Sequence, residues 1–183
     1  PIGNWNVSSV TDMNGMFTDT QAFNKPINTT PNVTMNGSTY IAWDVSKVTN
    51  MQSMFMGAYA FDQPIGDWDV SQVTDMSSMF RQAYSFNKNI GVWKPPSGAT
   101  FTDMFTSATT MQKIYRGTLG FDDTPTSAFF NKTRVTQTNI KTAVNAWCLN
   151  SSTAIVTYGH INGWDTSQIT DMFELFSNQT TFD

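Results

Sequence analysis

Cysteine and histidine are almost missing from this sequence, which has one residue of each, Cys148 and His160. A single cysteine cannot close a disulfide within the chain or supply the thiolate pairs of structural zinc sites. A nucleophile and base pair would need His160 beside Cys148, but a turn-rich stretch separates them, so we expect His160 to have a structural role. The sequence predicts no catalytic residue, no metal site and no cofactor.

Charged residues are also scarce, at 13% of the chain, about half the share that is typical of globular domains. The ten Lys and Arg residues are scattered and the net charge is -4, whereas phosphate binding relies on clustered basic residues. No apolar run approaches the roughly 20 residues that a membrane span needs. We therefore expect neither a nucleic-acid partner nor a membrane span in this segment.

Tryptophan recurs at a fixed interval. Trp43, Trp68 and Trp93 are 25 residues apart, and the same downstream order of Val or Ile, Thr, Asp, Met and Phe follows Trp5 and Trp164. Such periodicity is the signature of repeat proteins, in which each unit buries its inner face only against its neighbours.

Apolar residues occupy equivalent positions in the copies. The repeated spacing places a Phe 12 residues after each of these five Trp residues and a Met eight residues after most of them. The predicted repeat core comprises Trp5, Trp43, Trp68, Trp93, Trp164, Met51, Met76, Phe17, Phe55, Phe80, Phe105 and Phe176. We expect these side chains to stack from coil to coil in a shared core.

Each copy should contain a short strand and a short helix. In the copy headed by Trp68, the residues 70–74 are rich in β-branched side chains and favour a strand. Asp75 is a residue type that caps helices, and Met76, Met79, Phe80 and Ala83 follow with helical spacing. The predicted fold class is an α/β repeat solenoid with leucine-rich-repeat-like coils of about 25 residues, each a short strand plus a short helix or turn.

Two departures from the repeat define the expected domains. Trp5 and Trp43 are 38 residues apart, which indicates a polar loop inserted at 28–40. The pattern is lost after Met111, and a helix capped by Thr138 with an apolar face from Ile140 to Cys148 precedes Trp164. We expect a first block at 1–116, a cap and linker at 117–137, and a capping helix with the start of a second block at 138–183.

The ends of the chain copy interior parts of the repeat. The residues 1–5 match the junction 64–68, and the residues Phe182 and Asp183 match Phe61 and Asp62. We therefore expect the sequence to be a piece of a longer protein.

The segments 68–80 and 164–176, together with the lead-in 140–161, resemble the BspA-like leucine-rich-repeat surface proteins, including the mycoplasma-type surface lipoproteins of that class. The likeness covers roughly two thirds of the chain, and it is specific because the Trp, Val-Thr-Asp-Met and Met-Phe elements occur together in register. It implies a cell-surface or secreted protein used for adhesion or surface architecture, without enzymatic activity in the repeats.

Two features suggest chemistry beyond packing. Repeat acidic residues at 44, 62, 67, 69, 75 and 165 could form a calcium ladder, although turn formation and helix capping explain them better. The chain also has seven Asn-x-Ser/Thr sequons, and we predict glycosylation at those in 28–40 if the host has a eukaryotic secretory route. The sequons begin at Asn6, Asn28, Asn32, Asn36, Asn131, Asn150 and Asn178.

The sequence favours a non-enzymatic, extracellular or cell-surface module for structure or adhesion, which presents an extended surface to a protein or glycan partner. The alternative is a structural subunit of a larger extracellular filament, fibre or virus particle, in which neighbouring copies join end to end through the region 117–162. An enzyme ranks third.

Overall fold

The computed structural model describes residues 2–164, 166 and 168–180. Its regular elements are few: strands β1 (Thr30–Met35) and β2 (Ser38–Ala42), and helices α1 (Thr109–Tyr115), α2 (Ile140–Leu149) and α3 (Ser151–Tyr158). Short 3-10 turns lie at Ile2–Asn4, Ser127–Phe129 and Ile161–Gly163. Most of the described chain therefore consists of turns, and its order comes from contacts between repeats.

The copies headed by Trp5, Trp43, Trp68 and Trp93 lie side by side as successive coils. Parallel bridges join the eighth residue of each coil to the next, in the order Asp12, Asn50, Asp75 and Thr100. On both sides of these bridges, backbone N–H groups of one coil donate to carbonyls of its neighbour, as Met13 does to Asn50 over 2.9 Å. The repeat spacing of the sequence thus becomes a ladder of hydrogen bonds across the stack.

The prediction of a helix after Asp75 is wrong, because residues 76–83 form consecutive turns. Ser78 and Gln82 have φ values of 57° and 60°, in the left-handed region, which no α-helix accommodates. Alternate N–H groups point to the next coil instead of to the carbonyl four residues earlier. The donor and acceptor pairs are Met76 to Thr100, Ser78 to Thr102, Phe80 to Met104 and Gln82 to Thr106, at 2.8–2.9 Å.

The strand expected over 70–74 does not form either. Parallel pairing in this coil is limited to the bridge residue Asp75, and the preceding residues make a turn in which the N–H of Val73 donates to Val70. The β-branched side chains of Val70 and Val73 are buried in the core. Burial of these side chains accounts for the β-branched composition of residues 70–74 without a strand.

The Phe residues at the thirteenth position form a column through the stack. The ring centroids of Phe17 and Phe55 are 5.5 Å apart, those of Phe55 and Phe80 5.6 Å, and those of Phe80 and Phe105 5.9 Å. Interior Met residues of the repeat, including Met51 and Met76, are fully buried around this column. Dispersion between these close-packed rings and thioethers supplies much of the cohesion between coils.

Two residues expected in the repeat core are exposed. Trp5 has 50% of its surface accessible and Phe176 has 39%, whereas Trp43, Trp68 and Trp93 are buried. Each exposed residue belongs to a coil that lacks a described neighbour on one side. Trp164 is half-buried, and its ring packs against Trp147 at 6.1 Å.

The segment 28–40 is part of a β-hairpin and not an irregular loop. β1 and β2 pair antiparallel around the Asn36-Gly37 turn, whose φ values of 51° and 80° are those of a tight hairpin turn. The hydroxyl of Tyr40 donates to the carbonyl of Asn4 over 2.6 Å and ties the hairpin to the first coil.

The linker 117–137 divides between two cores. Phe129 and Phe130 pack into the core of the first four coils, whereas Val135 packs with Ile140 and Val144 of α2. α2 forms over the predicted residues, but its N-terminal cap is Asn139 instead of Thr138. The predicted apolar face of α2 is buried at Ile140, Ala143 and Val144 and half-buried at Trp147 and Cys148.

Candidate interaction surface

Hydroxyl and amide side chains form adjacent rows on the outside of the stack, here called the polar face. One row contains Thr11, Thr49 and Thr74, and the other contains Asn14, Gln52 and Ser77. The hydroxyl of Thr49 donates to the carbonyl of Thr11 and that of Thr74 to the carbonyl of Thr49, each over 3.1 Å. The amide of Asn14 donates to Gln52 over 2.8 Å. These bonds hold the polar face in a regular array.

The repeat aspartates are turn acceptors. The carboxylates of Asp44, Asp69 and Asp75 accept the N–H of the residue two positions later, over 3.1, 3.0 and 2.8 Å. Burial raises the pKa of Asp75, but bonds from Ser77 and Thr100 outweigh it and leave that pKa below its usual value. Within the described chain no three acidic, His or Cys residues come together as metal ligands, and Asp165 of the suggested ladder lies outside it.

A second polar ladder runs along the side of the stack where the coils turn back. The side chain of Asn24 accepts the N–H of Asp62 over 3.0 Å, and the carboxylate of Asp62 accepts the N–H of Asn87 over 3.1 Å. Lys88 pairs with Asp62 at 2.8 Å. The charges of Asp62 and Lys88 are therefore engaged within the protein.

Each interior Trp joins two coils through its indole. The Nε1 groups of Trp43, Trp68 and Trp93 donate to carbonyls of Ile2, Ile27 and Ile65 over 2.9, 3.1 and 3.1 Å. The acceptor is always the Ile that precedes a Trp position in the coil before. The side chain thereby satisfies a buried carbonyl while its ring fills the core.

An open groove of about 880 Å³ lies at the outer edge of the first coil. Trp5, Met16 and Asp12 line its floor, and Met35 and Tyr40 of the hairpin line its wall. Met16 is 38% exposed and Met35 is 44% exposed, although the equivalents of Met16 in the next coils are fully buried. The groove is thus a coil-stacking face that no described coil covers.

A second cavity, of about 540 Å³, lies where the first four coils meet the part of the chain around Trp164. Arg134 crosses it, donating to the carbonyl of Gly66 over 2.8 Å and pairing with Asp67 at 2.5 Å. Lys88 also lines the cavity, and its partner is Asp62. The Arg134 bonds connect the linker to the first four coils, and both pairs leave no uncompensated charge among these four groups.

His160 belongs to the packing before Trp164. Its ring meets Trp147 edge-on with centroids 5.0 Å apart, and burial lowers the pKa of its imidazole. Cys148 is half-buried against the cluster around Val144. The environment of both residues is that of a small hydrophobic core.

The sequons lie at the surface. Six of the seven asparagines are exposed and Asn28 is half-buried. Asn32, Asn36, Asn131 and Asn178 have left-handed backbone, with φ values of 57°, 51°, 63° and 62°, a conformation that favours asparagine without any glycan. The side chain of Asn150 accepts the N–H of Thr153 over 3.1 Å and caps α3.

The β-hairpin and helix α3 were not predicted, although the sequence contains a signal for each. Asn36-Gly37 between alternating apolar residues is the strongest short-range hairpin signal. Asn150 before Ser151–Tyr158 is a helix-capping residue. In the part of the chain that the structure describes, no helix has the length and hydropathy of a membrane span.

These observations define a protein of stacked repeats whose accessible surface includes polar rows, short turns and coil edges. The chain belongs to the family described as Mycoplasma protein of unknown function, DUF285, whose model matches residues 1–39, 30–147 and 147–183. No curated protein and no solved structure matches the chain.

Proposed function

We propose that this chain is a non-enzymatic structural or adhesion module of the cell surface or extracellular space. Within that proposal its coils form a leucine-rich-repeat-like solenoid of the BspA-like kind, in which turns replace the helices. Support comes from the match to a family of Mycoplasma proteins of unknown function and from the common order of Trp, Met and Phe in the copies.

The polar face is the main structural support for this proposal. Its hydroxyl and amide groups repeat at the interval of the coils, and hydrogen bonds to neighbouring coils hold them in place. A preorganised array loses little conformational entropy on binding, and many weak polar contacts along it add up in a multivalent encounter. A protein or glycan surface with repeating hydrogen-bonding groups is the partner that such a face fits.

A bead assay tests this function. Beads coated with the 183-residue chain are expected to attach to cultured epithelial cells, and the double variant Gln52→Glu/Ser77→Glu should reduce attachment at least fivefold. The control Gln21→Glu/Ser85→Glu adds the same charge on a later segment of the coil, so attachment should stay within twofold of the original. Equal loss in both variants, or no attachment above albumin-coated beads, contradicts the proposal.

A further inference from the structure

Two tyrosines occupy the same position in neighbouring interior coils. Tyr59 and Tyr84 are each the seventeenth residue of a coil, counted from Trp43 and Trp68. Their ring centroids are 4.8 Å apart and their planes are inclined by 25°, so the two phenols are stacked. Equivalent Phe rings of the core lie 5.5–6.0 Å apart from one coil to the next. The two phenols are therefore closer together than the rings that hold the core.

Backbone hydrogen bonds between the two coils hold the tyrosines in register. Before the pair, the N–H of Gly57 donates to the carbonyl of Arg81 over 2.9 Å. Directly after the pair, the N–H of Ser85 donates to the carbonyl of Tyr59 over 3.1 Å. Because the bonds on both sides fix the backbone, the rings meet without a rearrangement of the coils, as a reaction between them requires.

The tyrosine pair is accessible from solvent. Tyr84 is 38% exposed and Tyr59 is half-buried. The equivalent residues in the coils on either side are Gln21 and Thr109, so the stack contains two phenols and no other aromatic ring at this position. A small oxidant can therefore reach the pair at the surface, and a radical formed on one ring has the second phenol as its neighbour.

The three other tyrosines of the chain have different neighbours. The hydroxyl of Tyr40 donates to the carbonyl of Asn4 over 2.6 Å. Tyr115 is buried among phenylalanines, and Tyr158 meets Trp164 edge-on with centroids 6.2 Å apart. In the part of the chain that the structure describes, none of these three rings stacks on a second tyrosine. They therefore serve as internal controls for chemistry that needs two adjacent phenols.

We propose that Tyr59 and Tyr84 form an oxidative cross-linking site, at which a peroxide joins the two phenol rings by a carbon–carbon bond. One-electron oxidation removes the hydroxyl hydrogen atom of each phenol. The two radicals couple between ring carbons next to the oxygen-bearing carbons, and the hydrogens of those ring carbons move to the oxygens, which restores both hydroxyls. The chain loses two hydrogen atoms in total, and one hydrogen peroxide molecule takes them up and becomes two water molecules.

The fold favours this bond over a bond between chains. Groups that are held together in one chain meet at an effective concentration on the order of millimolar or more, far above a micromolar protein concentration. The bond joins the second coil to the third and closes the loop 59–84 in the unfolded chain, which lowers the entropy of the unfolded state. This inference goes beyond the proposed adhesive function and does not depend on it, because neither tyrosine belongs to the polar face.

Oxidation of the 183-residue chain with hydrogen peroxide and a peroxidase tests the proposal. At micromolar concentration the chain should acquire dityrosine fluorescence, remain at 20.4 kDa and yield a cross-linked peptide pair that contains Tyr59 and Tyr84. Tyr59→Phe and Tyr84→Phe keep a ring in the stack but lack the hydroxyl hydrogen, so each should lower the fluorescence by roughly tenfold or more. The matched controls Tyr40→Phe and Tyr158→Phe should stay close to the original, and circular dichroism checks that all four variants keep the fold.

Two further measurements separate the cross-link from general oxidation. Sulfoxides of exposed methionines add oxygen atoms, whereas the cross-link removes two hydrogen atoms, so the peptide masses distinguish the two reactions. The oxidised original chain should also unfold at a higher urea concentration than oxidised Tyr84→Phe, because the bond constrains the unfolded state of the original chain alone.

Three results overturn the proposal. The first is an oxidised original chain whose peptides contain no bond between Tyr59 and Tyr84. The second is a folded Tyr84→Phe variant with unchanged dityrosine fluorescence. The third is a yield per chain that falls in proportion to the protein concentration, because that dependence requires a bond between chains. None of these results alters the bead assay for adhesion, so the two proposals fail separately.

Discussion

At the residue scale, the interior tryptophans combine ring packing with a hydrogen bond that phenylalanine cannot make. The indole of Trp68 donates to the carbonyl of Ile27 over 3.1 Å in a buried environment. Trp5 occupies the equivalent place in the first coil but is half exposed, and no described residue accepts its indole N–H. A comparison of Trp68 with Trp5 therefore separates the contribution of the hydrogen bond from that of the residue type.

Trp68→Phe should lower the free energy of unfolding by about 1–3 kcal/mol, since the buried Ile27 carbonyl loses a partner and the core loses ring volume. Trp5→Phe should change it by less than about 0.5 kcal/mol at a concentration where the chain is monomeric. Urea unfolding followed by circular dichroism measures both. Equal losses in the two variants would show that the interior hydrogen bond is not the cause.

The backbone also takes a special conformation at single residues. Gly57 and Ser53 have φ values of 68° and 55° in the turns that replace the predicted helix. A Cβ added at Gly57 would press against the Asp19 side chain. Glycine is the residue type best suited to both positions.

Gly57→Ala should destabilise the chain by more than about 1 kcal/mol, because it adds left-handed strain to the contact with Asp19. Ser53→Gly should be neutral or stabilise the chain by roughly a few tenths of a kcal/mol, since it relieves left-handed strain and adds no atom that could clash. In a helix the signs would be reversed, because alanine stabilises and glycine destabilises a helix interior. The sign of the change in melting temperature of each variant therefore distinguishes turns from a helix.

At the scale of elements, the hairpin is an addition to the stack. Removing residues 28–40 would place Ile27 three residues before Trp43, the same interval as between Ile65 and Trp68. The two interior bonds of this junction, from Trp43 to Ile2 and from Trp68 to Ile27, use none of the deleted residues.

The deletion of 28–40 should yield a folded chain with a melting temperature within about 5 °C of the original, because surface insertions carry a small loop-closure cost. The near-ultraviolet circular dichroism of the Trp residues should be retained. Removal of the equally long interior segment 68–80 is the control and should abolish cooperative unfolding. A deletion variant that fails to fold would make the hairpin part of the core.

Gln137 acts as a substitute for a missing coil. Its carbonyl oxygen accepts the N–H groups of Thr170 and Asp171, and its amide donates to the carbonyl of Asp171 over 3.0 Å. One side chain thus binds three backbone groups of Thr170 and Asp171, at the positions where an interior coil is bound by its neighbour.

Gln137→Ala should increase amide hydrogen exchange at residues 170 and 171 by about tenfold, the equivalent of roughly 1.4 kcal/mol in local opening. The amides of Thr74 and Val73, which lie in the first four coils, serve as internal controls and should not change. Mass spectrometry of peptic fragments, or NMR, reads both regions in one experiment. Unchanged exchange at 170 and 171 would rule out a capping role for this side chain.

At the scale of the whole molecule, glycosylation would change the surface of the groove beside the first coil. Asn6 and Asn36, both sequon asparagines, line this groove. A glycan on either residue would fill part of it.

The chain secreted from eukaryotic cells should carry glycans at these two exposed asparagines, as intact mass would show. The variant Ser8→Ala/Ser38→Ala destroys the two sequons without altering either asparagine, so its mass should fall by the two glycans. A secreted chain with the same mass as the variant plus the two side-chain oxygens would contradict this prediction.

The repeat interval alone predicted which residues of the coils lie near one another. Phe55, Phe80 and Phe105 recur at 25 residues and stack in the structure, because a fixed interval in the sequence gives each coil the same path. The local conformation within the coil was not predictable in this way. Met76, Met79, Phe80 and Ala83 have helical spacing, yet consecutive turns put the same four residues on one buried side.

Residue types and their spacing determined the composition of the core, the scarcity of reactive groups and the position of α2, because burial and capping depend on local pattern. The tertiary structure decided the backbone path of the coils, the packing of Phe121 on Phe105, the bonds of Gln137, and the exposure of Trp5 and Phe176. Those features depend on where the hydrogen bonds of each coil find partners, and the partners lie in other coils. A coil in isolation has no neighbour to fix its conformation, so its sequence is compatible with a helix until the stack directs its N–H groups outward.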